Sequence, residues 1–164
     1  MDLNKIILGI SNYNNVKCGN TVSVTGDGGN AWGYIGPSYK KLAPKLETFI
    51  PYKEQLDKLN EIKDINEYKD IRRKIEDEYI KSYYNIRLKN LDVKELLYIL
   101  KEKYGENIIL LCHEDITEFC HRRLIADYIE LETGIYIPEI IIENNKIKKL
   151  TPIRYKKRLI KVMR

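Results

Sequence analysis

The stretch NIILLCHEDITEFCHRRLIADYIELETG, residues Asn107–Gly134, decides the fold. After Asn107 come five apolar residues, Ile108 to Cys112, with no polar alternation. Too short for a helix and apolar on both sides, they read as a strand buried on both faces. From Glu118 to Glu132 the apolar positions recur at helical spacing (Cys120, Leu124, Tyr128, Leu131), and Gly134 supplies a stop. A buried strand, a short polar loop and a helix in succession form the unit from which parallel α/β sheets are built.

Outward from there the same alternation continues. Asn4–Ile10 reads as a second buried strand and Thr21–Thr25 as a third, with Val22 and Val24 alternating. Asp92–Tyr104 is a helix capped by Asp92 and stopped by Gly105. Asn66–Leu88 is a long helix with Tyr68, Ile71, Ile75, Tyr79 and Tyr83 on one face. Its tyrosines are core at that spacing, or else a platform for bases. Pro37 and Ser38 open a short helical turn through Leu42, and Pro44 and Pro51 then punctuate two further short helical pieces. Pro138–Ile142 and Lys146–Leu150 flank Asn144-Asn145 as a hairpin-like pair. The expected fold is a single compact α/β domain with a mostly parallel sheet flanked by helices. Residues 1–145 form its body, and 146–164 form a basic, amphipathic extension docked upon it.

With 43% apolar and 32% charged residues among 164, the chain has the makeup of an ordinary soluble domain. The segment MDLNKIILGISNYNN has too short an apolar run for a leader peptide, and no run approaches a membrane span. The expectation is a cytoplasmic protein with no membrane partner. Three cysteines, an odd number, argue against a disulfide framework. The net charge of +5 is uneven. Residues 146–164 hold nine basic and no acidic residues, leaving the body with 20 basic against 24 acidic. A basic end of this kind meets phosphates, or serves as a solvated face. Ile153, Tyr155, Leu159 and Ile160 demand burial and argue against disorder.

Two segments carry candidate chemistry. The first, GDGGNAWGYIGP, packs five of the nine glycines into eleven residues, yet fits neither a Walker loop nor a dinucleotide fingerprint. It is a weak phosphate cradle or a flexible connection anchored by Trp32. The second lies in the opening stretch, where both histidines and two of the three cysteines fall within ten positions. Zinc is disfavoured: neighbours on a strand or helix diverge, so Cys112 with His113, or Cys120 with His121, should not share an ion, and the spacing matches no common zinc pattern. No metal and no cofactor is expected.

An anion site fits better. Asp115 with Glu118 forms a capping box, which places Cys120 in the first turns of the helix, where backbone N–H groups favour negative charge. Cys120 is then a nucleophile or a buried apolar residue, and His121 a proton carrier or a core histidine. Glu114 is a general base or a loop carboxylate. Arg122 has no ion partner along the helix and offers its planar fork to a ligand. Arg123, aligned with Asp127 and Glu130, reads as solvated surface.

The pieces Leu110-Leu111-Cys112 with Glu114, then Cys120-His121-Arg122 opening a helix, resemble the family known as domain of unknown function 488. The segment Ser38–Glu54 and the early strand KIILGIS resemble it too, so that the likeness spans about residues 4–132. The resemblance implies a compact α/β domain with a cleft between the second-strand loop and the CHR helix, and activity towards nucleotides or nucleic acids. It implies no particular reaction. Related chains often place an arginine after the second strand, where Thr25, Gly26 and Asp27 stand here; Lys40 or Lys41 is the compensating cation. The expected function is therefore an enzyme acting on a nucleotide or nucleic acid. Its catalytic candidates are Cys120, His121 and Glu114, and its substrate-binding candidates are Arg122, Cys112, Lys40 and Tyr39. The competing expectation is a non-catalytic module that binds nucleic acid through the basic end or sequesters a small anion in the cleft.

Overall fold

Three parallel strands ending at one edge define the architecture of the computed structural model, which describes residues 2–164. Strand β1 (Ile7–Asn12) pairs with β3 (Ile108–Cys112), and β3 pairs with β2 (Asn20–Ser23), all in parallel. β4 (Glu139–Glu143) joins the other side of β1 in parallel, and β5 (Lys146–Leu150) closes the sheet antiparallel. The order is β2-β3-β1-β4-β5 in a single five-stranded sheet. Asn12 lies opposite Cys112, and Ser23 opposite Leu111, so three carboxyl ends meet at one rim.

The helices are α1 (Leu46–Lys58), α2 (Ile65–Tyr83), α3 (Val93–Tyr104), α4 (His121–Thr133) and α5 (Lys156–Met163). All of them contribute to one apolar cluster, built on Ile10, Val22, Val24, Ile108, Leu110 and Cys112. The opposite face of β3, Ile109 and Leu111, is covered instead by loop residues Tyr13, Val16 and Tyr34. Alternation along β3 thus sends Cys112 to the helix side.

Local signals placed most of these elements. Asp92 caps α3 by accepting from the Glu95 N–H, and Asp64 caps α2 in the same way. Asn144 and Asn145 both adopt positive φ, as a two-residue hairpin turn requires. The long helix runs on through a π-helical turn, Tyr84–Leu88.

Two local expectations were overturned. Pro51 does not divide two helical pieces but sits inside α1. The one backbone bond it forfeits is offset by packing on α2, where Thr48 Oγ1 meets Ser82 Oγ at 2.6 Å and Tyr52 meets Tyr79 edge to face. Helix α4 begins at His121, not Glu118. The Glu118 carboxylate does accept from the Asp115 N–H, but this closes a four-residue turn ahead of the helix.

Candidate functional site

The rim where β1, β2 and β3 end carries the thiols. Cys112 is the last residue of β3, and Cys120 is the N-cap of α4, its sulfur accepting from the Arg122 N–H at 3.5 Å. Both are buried, and their Sγ atoms touch. Their Cα atoms nevertheless stand 7.9 Å apart, beyond the roughly 6.8 Å that a disulfide ordinarily spans. Between them reaches Glu114, whose Oε2 lies 3.2 Å from the Cys112 sulfur and 3.1 Å from that of Cys120.

His121 completes the group. Its Nε2 lies 2.8 Å from the Val24 carbonyl; a carbonyl only accepts, so Nε2 carries the proton. Nδ1 is therefore a bare lone pair, 4.0 Å from the Cys120 sulfur. Burial holds the imidazole below its ordinary pKa, against the opposing pull of the Glu114 charge and the Val24 bond. The ring rests against Tyr83 of α2, so one tyrosine of the long helix walls the site as core.

The expectation that adjacent Cys120 and His121 diverge fails for a geometric reason. It assumed both on one helix, whereas Cys120 is the cap, in extended backbone (φ −150°, ψ 139°). Sγ of Cys112, Sγ of Cys120 and a ring nitrogen of His121 all lie within 4.8 Å of one another.

Arg122 is not a free fork. It is fully buried, with Nε donating to both carboxylate oxygens of Glu139 at 3.0 and 3.2 Å. Its Nη1 donates to the Glu114 carbonyl at 2.8 Å and to the Cys112 sulfur at 3.1 Å. With its nitrogens so committed, it acts as a positioning residue that carries positive charge against one thiol. Glu139, at the start of β4, lies 17 residues beyond Arg122 and off its helix. Arg123, expected in solvent, is 1% exposed. It donates to the carbonyls of Ile116 and Glu118 and so shapes the loop between β3 and α4.

On the solvent side stand His113 and Glu114. Glu114 Oε1 lies 3.4 Å from His113 Nε2 while its Oε2 faces the sulfurs. The His113 ring stacks on Trp32, with planes 11° apart, and Trp32 is 47% exposed. The glycine-rich loop is thus pinned above the thiols. Asp27 holds it from within by accepting from the Thr25 hydroxyl and the N–H groups of Gly29 and Ala31. The Gly29 bond chiefly keeps the Asp27 carboxyl below its ordinary pKa, with the Thr25 and Ala31 bonds lesser causes.

Lys40 and Tyr39 are not brought to this group. Tyr39 is buried with the Lys103 ammonium over its ring, and Lys40 is exposed, its carbonyl accepting from Arg87. Neither side chain makes a hydrogen bond or ion pair with the cysteines, His121 or Glu114 among the described residues.

Part of the basic extension is spent on docking. Leu159 of α5 is buried; Arg158 reaches Asp77 at 2.7 Å and Glu76 at 3.0 Å, and Arg154 reaches Asp127 at 2.6 Å. No helix among the described residues is long and apolar enough to cross a membrane.

Fold and site together define a parallel α/β domain with a sulfur-rich centre at the carboxyl ends of its strands, where such folds bind ligands. Residues 42–129, more than half of the chain, match the family model described as Domain of unknown function DUF488, and the chain belongs to that family. The match takes in Cys112, Glu114, Cys120, His121 and Arg122, and leaves β1, β2, β4, β5 and α5 outside it. No curated protein and no solved structure matches the chain.

Proposed function

We propose that this chain is an enzyme acting on the base of a nucleotide or nucleic acid at the centre formed by Cys112, Glu114, Cys120 and His121. The observation that carries the reading is the double engagement of Glu114, which faces the His113–Trp32 stack with one oxygen and both sulfurs with the other. An exposed, flat aromatic pair offers the face on which bases stack, whatever their sequence. A carboxylate between that platform and buried sulfur is placed to move a proton to or from a ring nitrogen or exocyclic group. Arg122 and Arg123 act through others, fixing Cys112 and the loop that bears Glu114.

Trp32 is the only tryptophan in the chain, so fluorescence excited beyond the tyrosine absorption band reports on this platform alone. Mononucleotides and short single strands should quench it saturably. His113→Ala should weaken binding about tenfold or more, in line with ~1–3 kcal/mol per stacked base. Glu114→Gln should keep the quenching and lose base conversion, read by mass spectrometry of the recovered nucleosides. Absence of saturable quenching with every base tried would end the proposal. Unchanged turnover in Glu114→Gln would remove the proton role from that carboxylate.

A further inference from the structure

The geometry points to a divalent, thiophilic metal site, of the kind zinc fills, with Cys112, Cys120 and His121 as protein ligands and a fourth corner left open beside Glu114. It goes beyond the proposed substrate and does not depend on it.

Three independent observations converge. First, two sulfurs and a ring nitrogen from three backbone positions lie within 4.8 Å, and all three residues are buried. Sulfur and imidazole are the donors zinc takes in tetrahedral sites, at about 2.3 and 2.0 Å. Second, the histidine is prepared as a ligand. Its outer nitrogen donates to the Val24 carbonyl, the outer-shell bond that fixes tautomer and ring orientation in metal-binding histidines, leaving Nδ1 facing Cys120. Third, the donor set lacks a cation of its own. Two sulfurs and the Glu114 carboxylate crowd together, while Arg122, which donates to the Cys112 sulfur, already pairs with Glu139. A divalent ion resolves that crowding; the two thiol protons leave to solvent as it binds.

The backbone spacing agrees. At 7.9 Å between Cα atoms, the cysteines stand wider than a relaxed disulfide, so rotation of their side chains would part the touching sulfurs and admit an ion. Three protein ligands with the fourth corner turned towards the half-exposed His113 side is the arrangement of sites that keep one exchangeable position. Cys18, exposed and outside this group, takes no part.

The test is cobalt(II) titration of the full chain, purified reduced and stripped of metal. One equivalent should give near-ultraviolet sulfur-to-cobalt absorption and intense visible bands of tetrahedral geometry, both abolished by zinc. Cys112→Ser and Cys120→Ser should each lower affinity by more than about 100-fold, beyond the ~10–100-fold typical of losing an outer-shell partner. Cys18→Ser should bind as the parent does. Because a ligand variant could fail to fold, the parent carries a second reading: alkylation of Cys112 and Cys120, followed peptide by peptide, should be blocked by zinc and restored by a chelator. Cobalt binding without sulfur absorption would overturn the inference, as would recovery of Cys112–Cys120 as a disulfide from reduced protein kept with zinc. Metal binding without quenching of Trp32 by any base would leave this site standing and remove the substrate proposal alone.

Discussion

Two parts of the molecule carry arginines that look alike in the sequence and differ in what they do. At the β3–α4 junction, Arg122 and Arg123 are sealed from water and spend their donors on Glu139, a sulfur and loop carbonyls. At the C-terminal extension, Arg158 reaches Glu76 and Asp77 across the surface, and the Lys146, Lys148 and Lys149 side chains of β5 stand in solvent. The first set fixes a site; the second fastens a helix and keeps a sheet edge unattractive to other strands. Burial decides the difference, because a charge removed from water must be met by partners on every side.

The largest way to break this contrast is Arg122→Met. It leaves buried Glu139 without its hydrogen-bonded cation, with only Arg123 at 3.7 Å, and the Glu114 carbonyl without its donor, at a cost of about 3–5 kcal/mol. Urea unfolding should show it directly, and Arg122→Met combined with Glu139→Leu should recover most of the loss. A double variant as unstable as the single one would mean that Arg122 acts mainly through Cys112 and the loop.

Next comes pH. Burial keeps folded His121 below its ordinary pKa, so as pH falls past about 6.5 the unfolded chain takes up a proton that the folded chain refuses. Stability should therefore decline from pH 7.5 towards 5, and His121→Gln should flatten the slope. Measured as urea midpoints across that range, identical slopes in parent and variant would show that His121 is not held neutral.

The smallest effect belongs to Arg158→Ala. Asp77 is half exposed, so water and salt screen that pair; with the less exposed Glu76 also released, the loss should be about 1 kcal/mol, shrinking at high salt. A loss comparable to that of Arg122→Met would erase the distinction between the two regions.

The sheet and most helices were legible because their signals are local. The five apolar residues ending at Cys112, the Asp92 cap with the Gly105 stop, and the Asn144-Asn145 turn each act within a few residues. The clustering of Cys112, Glu114, Cys120 and His121 was legible as a place of interest. What misled was the assumption that neighbours on a helix diverge, which an N-cap in extended backbone does not obey. Arg123 departs from its expected place in solvent for a related reason: its charges at helical spacing look solvated until Tyr155, ahead of α5, and the Glu118 carbonyl are folded over it.

The sequence by itself determined the kinds of element, their order, and the gathering of sulfur, imidazole and carboxylate into one loop, since these follow from periodicity and capping over short distances. Only the tertiary structure decided which atoms face one another. Glu139 arrives from β4 to claim Arg122, the Val24 carbonyl from the end of β2 sets the tautomer of His121, and Trp32 descends from the glycine loop onto His113. Each of those partners is distant along the chain. They meet because parallel pairing brings the carboxyl ends of β1, β2 and β3 to a common rim, and no local pattern records that register.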